Sequence, residues 1–394
     1  MAESIIYNLY MFLWVIVLLP KEAQFAAFAV IVIIWSVKNR QLIRVNKATV
    51  WFLAYAAIHL ISIIVAVITR DYALTRIAAA FNTCGIWVLA IWIAGIIRQA
   101  EDIDINRIGK YCVVNIGILF ALYIVTLAFP SLRITNGLEI RQARVWDLLS
   151  SGETTRFCGL FEYPSLVGFF TLLQFPWAFR YLNKSKYKWT CFALIPAVFI
   201  PVFMTYSRMS ILLNLVFIFV AVNYFMLDNG IKLKTLLAVY GALAFLVIIA
   251  AVIRIDDVMA LASAVFNARP GSNSDRMKIY TETVNRISET SWIIGAGIKE
   301  MNSAGVYPLG SHCTYLGILY KSGIIGSICF VIGLVMTVKV SLSKSFKNKS
   351  LFNLLFMGML ALLFVFCLIE DIDGSDWLLV MTFMGCMVYN KSKI

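Results

Sequence analysis

Charge is what this 394-residue chain has least of: only 14% of it is Asp, Glu, Lys or Arg. No stretch is long and polar enough to fold alone as a soluble domain, and neither internal repeats nor low-complexity tracts occur. The eight cysteines are scattered, mostly inside apolar runs, with no Cys-x-x-Cys pair, and among histidines only His312 stands beside one of them. That pattern argues against a metal site and against a disulfide framework. Cys158 and Cys313, both near one expected face, leave a single bridge open. Met1 to Tyr7 lacks the basic region of a secretory signal and no small-residue cleavage site follows, so the first apolar run is expected to stay in the protein. The apolar runs are continuous rather than alternating, which excludes a β-barrel.

What is there is hydrocarbon: 61% apolar residues and a mean hydropathy of +0.85. The chain reads as an all-α polytopic membrane protein, one integral membrane domain over 1–394. About twelve spans are expected, near 4–19, 23–37, 48–69, 75–97, 111–129, 160–179, 189–205, 209–227, 235–253, 314–338, 351–369 and 376–390. The first two, parted only by Pro20-Lys21-Glu22, also fit a tight hairpin that does not fully cross. The loops 38–47, 98–110, 180–188, 232–234 and 339–349 and the tail 391–393 then share one side, which their positive charge makes cytoplasmic, with both termini. The outer side receives two long loops, 130–159 and 254–311. The net charge of +13 lies mostly in short loops that orient the protein, so nucleic acid is not an expected partner.

The two sides differ in kind as well as in charge. By this topology the cytoplasmic loops carry fourteen Lys and five Arg, the outer side eleven Arg and four Lys. Arg offers a rigid fork of donors matched to phosphate, whereas Lys is a mobile, strongly hydrated charge. The outer face therefore suggests oxyanion recognition. The alternative is that these arginines pair with outer acids: Asp71, Glu139, Asp147, Glu153, Asp256, Asp257, Asp275, Glu282 and Glu289.

Several outer residues are candidates for chemistry. Arg156 opens the block Arg156-Phe157-Cys158-Gly159-Leu160-Phe161-Glu162-Tyr163-Pro164. Arg208 ends Thr205-Tyr206-Ser207-Arg208, a turn so short that its guanidinium must lie at the membrane face, where a charge costs free energy unless paired or wetted. Snorkelling toward lipid phosphate is its bland reading. Residues 272–289 read as an amphipathic helix outside the bilayer, with Pro270-Gly271 as the preceding turn, Ser272 and Asp275 as a capping box, and Met277, Tyr280, Val284 and Ile287 as its apolar stripe, flanked by Arg276 and Arg286. His312, in Gly310-Ser311-His312-Cys313-Thr314-Tyr315-Leu316, is the natural proton acceptor near neutral pH, or else a structural hydrogen-bonder at a helix start. Lys321, nine residues on, is expected to line the same cavity. His59, inside an apolar run, reads as structural. The acids Glu370, Asp371, Asp373 and Asp376 depart from a calcium-loop pattern and read as solvated, so no metal is assigned.

These blocks together resemble the bacterial O-antigen polymerase and ligase family of integral-membrane glycosyltransferases. The resemblance spans roughly 150–340 and rests on the Arg-Phe-Cys-Gly-Leu-Phe block, the Thr-Tyr-Ser-Arg turn, the arginine helix, and Gly310-Ser311-His312 followed by Gly323-Ile324-Ile325-Gly326. Cys313 departs from the small polar residue or Asn that often follows the histidine. The resemblance implies a GT-C-like fold in the bacterial inner membrane with a large helical periplasmic loop. It implies reaction on glycans linked to undecaprenyl pyrophosphate, without cofactor, metal or nucleotide sugar, and with a flippase and a chain-length regulator as possible partners. It implies Arg208 and Arg276, with Arg156, on the pyrophosphate and His312 at the acceptor hydroxyl; Arg286, Lys321, Tyr206 and Tyr280 are further candidates for holding pyrophosphate or glycan. The expectation is a repeat-unit polymerase. The alternatives are an O-antigen ligase and, from another class, a lipid-linked oligosaccharide transporter, which should show repeated halves and mid-span charges.

Overall fold

The computed structural model describes residues 2–40, 45–135, 140–146, 155–256, 259–260, 270–348 and 350–392. Among these, six helices are long and apolar enough to cross a membrane: Lys21–Asn39 (α3), Lys47–Thr69 (α4), Leu74–Ile97 (α5), Ile105–Ala128 (α6), Arg208–Asp228 (α9) and Thr314–Lys347 (α12). The remaining expected spans also coincide with helices, several of them shorter or interrupted. The first is broken at Phe12 into α1 (Ala2–Met11) and α2 (Leu13–Leu18). A short 3₁₀ turn, Lys188–Ala193, leads into α8 (Leu194–Phe203). The pair α13 (Phe352–Phe366) and α14 (Asp376–Lys391) have 15 and 16 residues. At 1.5 Å per residue these reach only about 22–24 Å against a hydrocarbon core of ~30 Å, so length alone does not establish twelve crossings. Helices α7 (Ser165–Asn183), α10 (Leu233–Ile253) and α11 (Pro270–Thr290) complete the set.

Polar contacts sort the loops between two ends. At one end Arg98 donates to the Val45 carbonyl, the Glu101 amide to Glu3, Arg180 to Asn106, and Lys184 pairs with Asp228 at 2.8 Å. These are the lysine-rich loops. The other end carries the two long loops. The first of them, 130–159, holds strands where an all-α chain was expected. It forms two antiparallel pairs, Arg133–Thr135 (β1) with Ile140–Gln142 (β2) and Arg144–Trp146 (β3) with Thr155–Phe157 (β4). The second pair lies on the turn before α9, where the Phe157 amide donates to the Met204 carbonyl at 2.8 Å.

The segment Ser291–Ile298 wedges between α4 and α12, and glycines make this possible. Ser62 and His59 of α4 hydrogen-bond the carbonyls of Ile294 and Gly297. On the other side the amides of Ile324 and Ala296 donate to the carbonyls of Trp292 and Tyr320. Helix α12 opens to admit these bonds: Gly323 has φ +61° and ψ −163° inside it. A Cβ on Gly323 would lie 2.3 Å from the Ile293 oxygen, and one on Gly297 would lie 2.4 Å from the Ser62 oxygen. The Gly323-Ile324-Ile325-Gly326 block is thus where two backbones touch. Gly323→Ala is expected to lower the thermal unfolding midpoint in detergent, by about 2 kcal/mol or more from the positive φ and the clash together. Gly117→Ala, with open space around its Cβ, is the matched control and should leave the midpoint unchanged or raise it.

Candidate functional site

Two arginines reach the loop-rich end through neighbouring turns. Tyr206, at φ +50°, reverses the chain after α8, and Ser207 leads into α9, whose first residue is Arg208. Arg156 sits opposite Val145 in the β3–β4 pair and donates from Nε to the Thr205 carbonyl at 2.8 Å. The hairpin therefore lays Arg156 against the same turn that launches Arg208.

Helix α11 supplies the third. It starts at Pro270, so Pro270 and Gly271 belong to its first turn, where a proline lacks nothing, and Ser272 is not at its cap. Its buried stripe is Ile279, Thr283 and Ile287, whereas Met277 and Val284, expected to face inward, are 62% and 38% exposed. The reason is a polar contact that hydropathy does not register: the Gly310 amide donates to Thr283 Oγ1 at 2.9 Å. That register turns Arg276 and Tyr280 toward the Gly-Ser-His segment. Tyr280 donates to the His312 carbonyl at 2.6 Å, and His312 holds a left-handed backbone, φ +60°, with its ring edge-on to Tyr307 at 5.4 Å.

The acidic turn closes the arrangement, and here the expectation of solvated acids is overturned. Glu370, Asp371, Asp373 and Asp376 are 2–7% exposed. Thr314, the first residue of α12, holds the turn in place. Its amide donates to the carbonyls of Cys367 and Glu370, its hydroxyl donates to the latter, and that hydroxyl accepts from the Ile372 amide. Glu370 is thereby set between Arg276, at 3.2 Å, and His312 Nδ1, at 3.8 Å. Asp371 pairs with Lys299. Asp373 accepts from Lys321 at 2.5 Å and from Trp87 Nε1 at 2.8 Å, and Asp376 from Asn82 at 3.1 Å. Burial raises the Asp371 carboxyl above its usual range, and the Asp373 charge adds to that. Burial pushes Asp373 the same way, but Lys321 and then Lys299 outweigh it and hold that carboxyl well below the usual range. The acids are counter-ions, each already engaged by a protein donor, and among the described residues no acidic, histidine and cysteine cluster is arranged for a metal.

A cavity of about 1070 Å³ opens at this end, and Arg156, Arg208, Arg276, His312 and Lys321 all line it. Ser311 Oγ and His312 Nδ1 are buried there without a hydrogen-bond partner among the described residues. Three other candidates lie outside its wall. Arg286 is engaged by Glu300 at 2.6 Å and Glu289 at 2.9 Å. Glu300 also accepts from Tyr72, so these residues pin α11 to the α4–α5 turn. Burial would raise the Glu300 carboxyl, but Arg286 and Tyr72 hold it below its usual range. Tyr206 is 42% exposed, and Tyr280 acts through the His312 backbone. Of the acids expected as arginine partners, Glu289 takes that role; Glu139, Asp147, Glu153 and Asp257 lie outside the described residues. The principal partners are instead Glu162 for Arg141, Glu300 and Glu370. Cys158 and Cys313 are free thiols, the latter capping α12. Arg76, Lys299 and His59 also reach the cavity and were not singled out for it. An outer excess of arginine beside a four-acid turn between two apolar runs was the one available signal for the counter-ions.

Residues 191–331 match the family model described as O-antigen ligase. Over that stretch, a little over a third of its length, the chain matches the O-antigen polymerase and ligase family. The match covers the Arg208 turn, α11, the Gly-Ser-His segment and α12 through Gly326, the elements that bring Arg208, Arg276, His312 and Lys321 to the cavity. It leaves out Arg156 and the acidic turn. The six long apolar helices make the chain a membrane protein, and the matched family supports a role in the processing of lipid-linked glycans. No curated protein matches the chain significantly.

Proposed function

We propose that this chain is an integral-membrane glycosyltransferase of the bacterial inner membrane that polymerises polysaccharide repeat units on its periplasmic side. The donor is a glycan on undecaprenyl pyrophosphate, and the acceptor is the non-reducing end of a second lipid-linked unit. An acceptor hydroxyl oxygen attacks the anomeric carbon; the bond from that carbon to the pyrophosphate oxygen breaks, its electron pair leaves with the pyrophosphate, and the centre inverts. The hydroxyl proton passes to His312. Arg208, Arg276 and Arg156 stabilise the charge that gathers on the departing group, which preorganised donors in a water-poor cleft do at low cost in reorganisation. The supporting observation is that these cations and His312 line one cavity at the end opposite the lysine-rich loops. Those loops mark the cytoplasmic side by the positive-inside rule, which sets both termini inside.

A ligase reading has its own support, since the matching family model is described as O-antigen ligase. Purified protein given lipid-linked repeat units decides between them. Polymerisation predicts a ladder of longer glycans without lipid A core and unchanged by EDTA. A strict requirement for the core would turn the assignment to ligase, and no product with either acceptor would end the glycosyl-transfer reading.

A further inference from the structure

The cavity has a second cationic wall that the donor site does not use. Arg76 and Thr83 of α5, with Ala79 and Ala80 between them, face the same space as Arg208 and His312. The two walls belong to different parts of the bundle: α5 packs on α3, α4 and α14, whereas α9 packs on α7, α8 and α13. Arg76 is only partly buried, and among the described residues its guanidinium has no hydrogen bond or ion pair. Five of the other outer arginines differ. Arg70 and Arg286 are tied to Glu300, Arg141 to Glu162, Arg276 to Glu370, and Arg156 to a backbone carbonyl. Lys21, at the start of α3, lines this wall too; it donates to the Gly374 carbonyl, and its charge also acts on the nearby Asp376 carboxyl. Each wall also meets the surface in a small or apolar side chain that lines the cavity, Leu212 on α9 at 51% exposure and the exposed Ala79 on α5. An amphiphile with its tail in lipid can approach either wall from the side.

We propose that Arg76, with Lys21, forms a second anion subsite that holds the pyrophosphate of the lipid-linked acceptor. The inference rests on the polymerase reading, in which two lipid diphosphates must occupy one cavity at once with the acceptor sugar directed at the donor's anomeric carbon. A guanidinium with no partner among the described residues, in a cavity this size, offers a bidentate phosphate contact without first breaking an internal ion pair. The small side chains at 79, 80 and 83 leave room for a head group against the helix.

The test uses the full-length protein in nanodiscs containing phosphatidylglycerol. Titration with undecaprenyl pyrophosphate, read by native mass spectrometry, should give two equivalents per chain for the wild type and one for Arg76→Gln. With labelled donor fixed and acceptor varied, Arg76→Gln should raise the acceptor KM about tenfold while the donor KM stays within twofold, and Arg76→Lys should recover part of the loss. One equivalent in the wild type, or two retained in Arg76→Gln, would overturn the subsite; the latter would leave Arg76 in contact with bulk phospholipid only. Equal effects on donor and acceptor KM would also overturn it. Wild-type chain growth in the same preparation reports on the polymerase reading separately: if growth needs lipid A core, that reading fails whatever Arg76 does.

Discussion

Arg276→Ala should stop chain growth while the protein still inserts and accumulates normally, and Arg208→Ala should do the same. Each guanidinium lines the cavity, and removal of one preorganised donor from developing charge lowers a rate by roughly 10²–10³. Lysine should not restore either, because a point charge does not reproduce a two-donor fork. The two variants nonetheless differ in a way the geometry dictates. Arg276 Nη2 lies 3.2 Å from Glu370, so its loss leaves a buried carboxylate facing the space meant for a diphosphate. Arg276→Ala should therefore be the more damaging of the two, and Arg276→Ala combined with Glu370→Gln should recover part of the rate. Non-additivity of that kind is the signature of residues in one network. Glycan length on gels and initial rates with purified lipid-linked units provide the measurement. Wild-type glycan length in either single variant would remove these arginines from the site.

Arg208 was legible in the sequence because it interrupts hydrocarbon and Arg276 because it flanks the apolar stripe of an outer helix, and so was the placement of His312 and Lys321 on one cavity. Nine residues from a helix start carry a side chain below the surface whatever the rest of the fold does. The face that α11 buries was not legible. Met277, Tyr280, Val284 and Ile287 satisfy a helical period, yet Thr283 faces inward because a loop amide 27 residues away needs its hydroxyl. Hydropathy assigns threonine no such pull. The acidic turn was misread for a related reason. Four acids between two apolar runs look solvated until Thr314 fastens the turn to the start of α12 and delivers each acid to a donor. Arg286 and Arg276, ten residues apart on one helix, were read alike, and only tertiary contacts separate them. One is held by Glu300 in a structural latch and the other lines the cavity. The two short β pairs were missed because three-residue strands give no period to read, and their existence is decided by the turn at Met204 on which one of them rests.

Lys321→Ala should cost about 3–5 kcal/mol of stability, the largest loss expected of any single substitution here, because it strands a charge rather than removing one. Lys321 and Asp373 are 2% and 1% exposed and 2.5 Å apart. With the ammonium gone, Asp373 keeps the Trp87 indole and its hydrogen bond with the buried Asp371 carboxyl, and the nearest remaining cation is Lys299, already paired with Asp371. Asp373→Ala strands the lysine in turn and should be equally damaging. Desolvation, however, is suffered by both members of the pair, so the double variant Lys321→Met/Asp373→Leu should unfold closer to the wild-type midpoint than either single variant does. Activity separates the two roles this pair can have. If Lys321 serves only to neutralise Asp373, the double variant regains chain growth along with stability; if its ammonium also meets the diphosphate, stability returns and chain growth does not. Single variants as stable as wild type, or a double variant no better than the singles, would show that the floor of the cavity is wetter and more forgiving than the burial of these two groups implies.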